Sequence, residues 1–161
     1  MQPCIGFLEY LSIGKGIEAA DLILKNTAID TIVSSPNCPG RYHILFSGDV
    51  DAVKTAVEMA KEIKDETMLE SCVIPNIDRD IIQAVFSPVV TDIQDGVAIF
   101  ETITMTETVL GADNMLDTAD VDIVDLRLGK GLAGKSYVIV TGSLQDLEYA
   151  VDAAVDGMQE K

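Results

Sequence analysis

Cys38 lies in the stretch SSPNCPGRY, residues 34–42, between two prolines and just ahead of a glycine. The chain's other cysteines, Cys4 and Cys72, are distant in sequence, so the three form neither a CxxC pair nor the even set of a disulfide framework. A thiolate is a natural ligand for soft metals, but one isolated thiolate cannot complete a four-thiolate site within a single chain. A second candidate is GKGLAGKS, Gly129 to Ser136, which matches the phosphate-cradling pattern G-x-x-x-x-G-K-[ST]. That pattern works when the lysine and serine open a helix whose amides face the phosphates. Here they open YVIVTG, a β-branched run that reads as a strand. A flexible glycine loop is therefore expected, with Lys130 and Lys135 acting on any anion only as point charges.

The remaining chemistry is sparse. His43, the one histidine, sits between Tyr42 and Ile44 on an apolar run and reads as a packing or hydrogen-bonding residue. Cys4 and Cys72 fall in strand-like segments and read as packing residues. The six methionines are scattered and read as core filling. With no paired carboxylates in a loop and no nucleophile beside a base, no catalytic constellation can be assigned, and the chain is not expected to be an enzyme.

The elements that position these residues come in two copies. Glu9 in GFLEYLSI matches Glu101 in AIFETITM, Ala20-Asp21 match Ala112-Asp113, and Asp30 matches Asp122, all at one offset. After a two-residue insertion in the second half, Gly40 matches Gly134, Gly48 matches Gly142, and Ala56-Val57 match Ala150-Val151. Each copy opens with a strand, IGFLEYL or VAIFETI, and continues into a helix, IEAADLILKN or ETVLGADNML. Second strands (AIDTIVS, VDIVDLR) and third strands (RYHILFSG, KSYVIVTG) follow, then a second helix with one apolar face. Asp49 is expected to cap the first of these second helices, and Ser143 with Asp146 has capping-box spacing before the other. The first copy adds a fourth strand, TMLESCVIPNI, and a short helix, DRDIIQAVF; the second stops before a fourth strand. The expected class is α+β: two tandem ferredoxin-like βαββαβ domains, residues 1–92 and 93–161, the second lacking its fourth strand. In both, the loop between the second and third strands is the unusual part.

Composition limits the partners. The 161 residues are 48% hydrophobic, enough for packed cores, and the formal charge of -16 repels phosphate backbones and anionic lipid. Nucleic acid and membrane are therefore not expected as partners. No apolar run approaches the length of a bilayer span, and MQPCIGFLEY lacks the regions of a signal peptide, so a soluble, cytoplasmic protein is expected.

GFLEYLSIGKGIEAADLILKNTAID, the glycine loop and HILFSGDVDAVKTAVEMA together resemble a bacterial microcompartment shell domain, and the tandem arrangement resembles the trimer-forming class. The CPG loop at 38–40 is similar to that of iron–sulfur shell proteins from propanediol-utilisation compartments. The resemblance implies a homotrimer forming a pseudo-hexagonal tile in the shell of a cytoplasmic compartment, beside other shell proteins. The loops between second and third strands would then ring a central pore lined by Asn37, Pro39, Gly40, Lys130 and Gly131. On a three-fold axis, one Cys38 per chain becomes three thiolates, suited to an iron–sulfur cluster, 4Fe–4S or three-iron, shared by the three chains. Gly40 permits the sharp turn and Pro39 biases Cys38 toward extended backbone. Lys25 occupies the place of a lysine that meets its counterpart at the tile edge; the second copy has Asp117 there, which suits a mixed contact, although an exposed helix lysine is the plainer reading.

Three functions are compatible with these features. A cluster-bearing tile could pass electrons across the shell, with a redox enzyme inside the compartment or in the cytosol as partner. A purely structural tile could conduct metabolites through its pore and leave Cys38 idle. A ligand-sensing regulator is ranked last, because the repeat resembles shell domains along nearly its whole length.

Overall fold

The structure is a computed structural model, which describes residues 3–63, 66–87, 89, 91–129 and 131–159. The chain divides into two compact units, Met1–Ile77 and Asp78–Lys161.

The first unit runs β1 (Pro3–Tyr10), α1 (Ile13–Asn26), β2 (Thr31–Asn37), β3 (Arg41–Asp49), α2 (Val50–Glu62) and β4 (Met68–Pro75). Its sheet has the order β2-β3-β1-β4 with every neighbouring pair antiparallel, the arrangement expected for a ferredoxin-like βαββαβ unit. Side chains alternate across the sheet. Cys4, Leu8, Tyr10, Tyr42, Ile44 and Phe46 face the helices and pack with Ala19, Ile23, Val53, Ala56 and Val57. The other face carries Ile5, Phe7, Glu9, His43 and Leu45, which are buried as well. Ser12 caps α1 by accepting the Lys15 amide at 3.3 Å. Gly16 lets α1 lie against β3, since a β-carbon there would come within 2.3 Å of the Tyr42 ring.

The second unit runs α3 (Arg79–Phe86), β5 (Gly96–Thr102), α4 (Met105–Thr118), β6 (Val121–Leu128), β7 (Ser136–Gly142) and α5 (Leu144–Gln159). Its antiparallel sheet has the order β5-β7-β6, the counterpart of β1-β3-β2, and among the described residues it has no fourth strand. Helices α4 and α5 pack on each other and on this sheet.

Two expectations need correction, and a third is met. Helix α3 falls in the second unit and packs on β6, burying Ile81 and Ala84; the sequence order suggests it completes the first copy, but its apolar face decides its neighbours. Asp49 occupies the cap position of α2 with extended backbone but makes no side-chain cap bond. The Ser143 hydroxyl accepts the Asp146 amide at 3.2 Å and itself donates to the Asp146 carboxylate at 2.5 Å, closing the expected box between the two side chains.

Candidate functional site

The loop SSPNCPGR is narrower than the sequence suggests. Strand β2 continues through Asn37, which pairs with Arg41 of β3, so only Cys38, Pro39 and Gly40 form the turn. Pro36 is accommodated because β2 is the edge strand of its sheet. The Gly40 amide donates to the Asn37 carbonyl at 2.9 Å, and Gly40 has φ of 81°, the left-handed region that glycine tolerates best. The Cys38–Pro39 peptide is cis. Cys38, Pro39 and Gly40 are exposed, and the Cys38 thiol is free.

Behind the turn lies a chain of polar side chains that ends in the buried face of the sheet. The Cys38 amide donates to Asn37 Oδ1 at 2.9 Å. Asn37 Nδ2 lies 2.9 Å from His43 Nδ1, and His43 Nε2 lies 2.7 Å from Glu9 Oε1. Arg41 Nη1 donates to the same carboxylate oxygen at 2.8 Å. Glu9 is 8% exposed and His43 3% exposed. The Phe7 ring is tilted against the imidazole with centroids 5.7 Å apart. Burial by itself would raise the Glu9 carboxyl, but hydrogen bonds from His43 and Arg41, with the charge of Arg41, hold it below the ordinary carboxylate range.

His43 is therefore a buried hydrogen-bonding residue, as expected from its surroundings in the sequence. In the sequence Glu9 stands out only as a repeat marker. The available signal was a carboxylate at a position whose alternation, Ile5, Phe7, Glu9, points into a buried face. Asn37, expected at a pore, has its amide turned back toward His43. Cys4 is fully buried and burial raises its thiol, whereas Cys72 is half-buried on β4.

The corresponding loop of the second unit, residues 129–135, makes different contacts. Gly129, Gly131 and Gly134 all have positive φ, as does Ala133, at 53°. Lys135 and Ser136 lead into β7 and not into a helix, so the P-loop pattern has no helix N-terminus behind it. Gly131 is exposed, and Lys130 lies outside the described residues. Lys135, the counterpart of Arg41, pairs with Glu101, the counterpart of Glu9, at 2.5 Å in an exposed position. Tyr137 stands where His43 stands and donates to Asp125 at 3.0 Å, so this copy has no imidazole relay to its loop. Lys25 is exposed in the last turn of α1 and pairs with Asp21 at 2.6 Å.

Among the described residues no group of three or more histidine, cysteine or carboxylate side chains is gathered within the chain to hold a metal. No helix among them is long and apolar enough to cross a membrane.

The two tandem sheets, each with a distinctive loop between its second and third strands, are those of a microcompartment shell protein: the chain belongs to the BMC domain family, which matches residues 4–77 and 97–161. The bacterial microcompartment shell protein PduT of Citrobacter freundii is 32% identical over 161 residues, all of this chain and 88% of that protein. A crystal structure of a microcompartment protein from Desulfitobacterium hafniense superposes with a TM-score of 0.92 at 35% identity, covering 99% of this chain and 89% of that one. The fused permuted hexameric shell protein of the RMM microcompartment shares the fold, with a TM-score of 0.70 at 20% identity over 98% of this chain and 84% of its own.

Proposed function

We propose that this shell protein assembles as a homotrimer whose three Cys38 thiolates hold an iron–sulfur cluster at the centre of the tile, and that the cluster carries electrons across the shell. The observation that carries this reading is a free, exposed cysteine at the tip of a three-residue turn. The 32% identity to PduT supports the shell context.

The donor set fits such a group only across copies. Each chain offers one suitable thiolate at this tip, and three-fold assembly would supply three, leaving one iron of a cubane to a non-thiolate ligand or suiting a three-iron cluster. Thiolate is the ligand type these clusters take, and a turn free of packed side chains leaves room beside the sulfur. When bound, the cluster would supply one-electron transfer. The chain's own part is to present the thiolate and hold the turn. Other shell proteins, and a redox enzyme on either side of the shell, would be the partners. Lys25 at the end of α1 would lie at the tile edge.

The test is anaerobic purification or reconstitution followed by iron analysis, visible absorption and EPR. The expected result is brown protein with about one cluster per three chains, with iron lost in Cys38→Ser and kept in Cys4→Ser and Cys72→Ser. Colourless wild-type protein without iron would favour a purely structural tile whose pore conducts metabolites. A monomer in native mass spectrometry would remove the symmetry on which the three-thiolate site depends.

A further inference from the structure

The polarity of the side-chain chain behind Cys38 follows from its one unambiguous member. A backbone N–H can only donate, so the Cys38 amide requires Asn37 to present its oxygen there. The NH2 group of Asn37 must then face His43 Nδ1 at 2.9 Å, which makes that ring nitrogen an acceptor. A neutral imidazole accepting at Nδ1 carries its proton on Nε2, and that proton points at the Glu9 carboxylate 2.7 Å away. Each link thus determines the next, from an exposed amide to a buried anion.

From this we infer that Asn37, held by the Glu9–His43 pair, is the positioning residue for Cys38, clamping the amide of the cysteine so that the thiol is presented in one orientation before any metal arrives. The inference that this serves a cluster rests on the function proposed above; the clamp itself does not. The second unit provides an internal comparison. It keeps the carboxylate and the cation, as Glu101 and Lys135, but replaces the imidazole with Tyr137 and has no cysteine in its loop. The relay and the cysteine occur together in one copy and are absent together from the other. Orienting residues behind a ligand commonly change its affinity for metal by one or two orders of magnitude.

The chain's single histidine makes the test direct, because the imidazole nitrogens of the labelled protein give one set of NMR signals. In the iron-free, reduced chain at neutral pH, His43 should show a protonated Nε2 and a bare Nδ1. The Cys38 amide, although in an exposed turn, should exchange with solvent more slowly than an open amide. Asn37→Ala should speed that exchange about tenfold while amides of β1 and α1 keep their protection, which separates loss of the clamp from unfolding. Asn37→Asp should retain the slow Cys38 amide, since a carboxylate still accepts it. A bare Nε2 in wild type, or a Cys38 amide indifferent to Asn37→Ala, would overturn the clamp. With the cluster loaded, Asn37→Ala should release iron at least about tenfold faster than wild type and Asn37→Asp should not; release at the wild-type rate from Asn37→Ala would overturn the link to metal. A wild type that binds no iron would instead overturn the proposed function, and the amide and imidazole measurements would still decide the clamp.

Discussion

Glu9 of β1 and His43 of β3 are register partners whose side chains meet, carboxylate oxygen to Nε2 at 2.7 Å, on the buried sheet face opposite the helices. Through Asn37 the pair connects the first unit's buried sheet face to the Cys38 turn. Arg41, half-buried, completes the charge balance from the adjacent loop end of β3.

This pair should make the first unit sensitive to acid. Burial favours a neutral Glu9, but the hydrogen bonds from His43 and Arg41 win and lower its proton affinity below that of the unfolded chain. A carboxyl with a lowered folded value contributes stability that is present above its unfolded value and is lost as pH falls through the folded one. Protection of β1 and β3 amides in hydrogen exchange should therefore hold above the ordinary glutamate value of about 4.3 and drop as pH falls below it. Glu9→Gln should flatten this dependence and, at neutral pH, cost about 2–3 kcal/mol of local stability by leaving Arg41 and His43 without their anion.

Gly16→Ala should destabilise the first unit despite the better helix propensity of alanine. The added β-carbon would lie 2.3 Å from Tyr42 Cδ1 and within 2.8 Å of its Cβ, too close to the backbone for a rotamer change to relieve. Overpacking of this kind costs about 1–3 kcal/mol, against about 1 kcal/mol gained in the helix. Gly14→Ala is the control, because its β-carbon would meet only Ser12 Oγ, at 4.0 Å. Thermal melts should separate the two.

Asp113→Asn should stabilise the second unit at neutral pH. Burial raises the Asp113 carboxyl, the Asp78 amide at 2.9 Å opposes that, and the charges of Asp117 and Asp78 add to the rise. With the folded value above the unfolded one, the favourable contribution is present at low pH and is lost as pH rises through the folded value. An asparagine oxygen can still accept the Asp78 amide without the charge. The melting temperature should rise by about 2 °C at pH 7, with the gain vanishing in acid.

The three cysteines should separate by reactivity. Cys38 is exposed, Cys72 half-buried, and Cys4 fully buried with its thiol raised by burial. Alkylation of the native, iron-free chain followed by peptide mass spectrometry should modify Cys38 first and Cys4 only after unfolding. Early labelling of Cys4 would show that β1 opens in the native state.

The repeat was legible because its markers, Glu9 with Glu101 and Gly48 with Gly142, keep their spacing, and periodicity places the strands and helices between them. The P-loop pattern lacks its helix for a local reason that the sequence shows: β-branched residues follow Lys135, and they form β7. The assignment of α3 was not legible. A short amphipathic helix is equally compatible with either neighbouring sheet, and only packing chooses between them.

The sequence by itself determined the two copies, their strand and helix order, the strong negative charge, and the single cysteine in the turn of the first. These are properties of composition and spacing, which survive without coordinates. Tertiary structure alone decided that Glu9, thirty-odd residues before its partners, meets Arg41 and His43, and that the resulting chain of hydrogen bonds reaches the Cys38 amide. The reason is strand register. A shift of one residue between β1 and β3 would turn the carboxylate to the other face and break the link, and no local sequence rule specifies which residues face each other across a sheet.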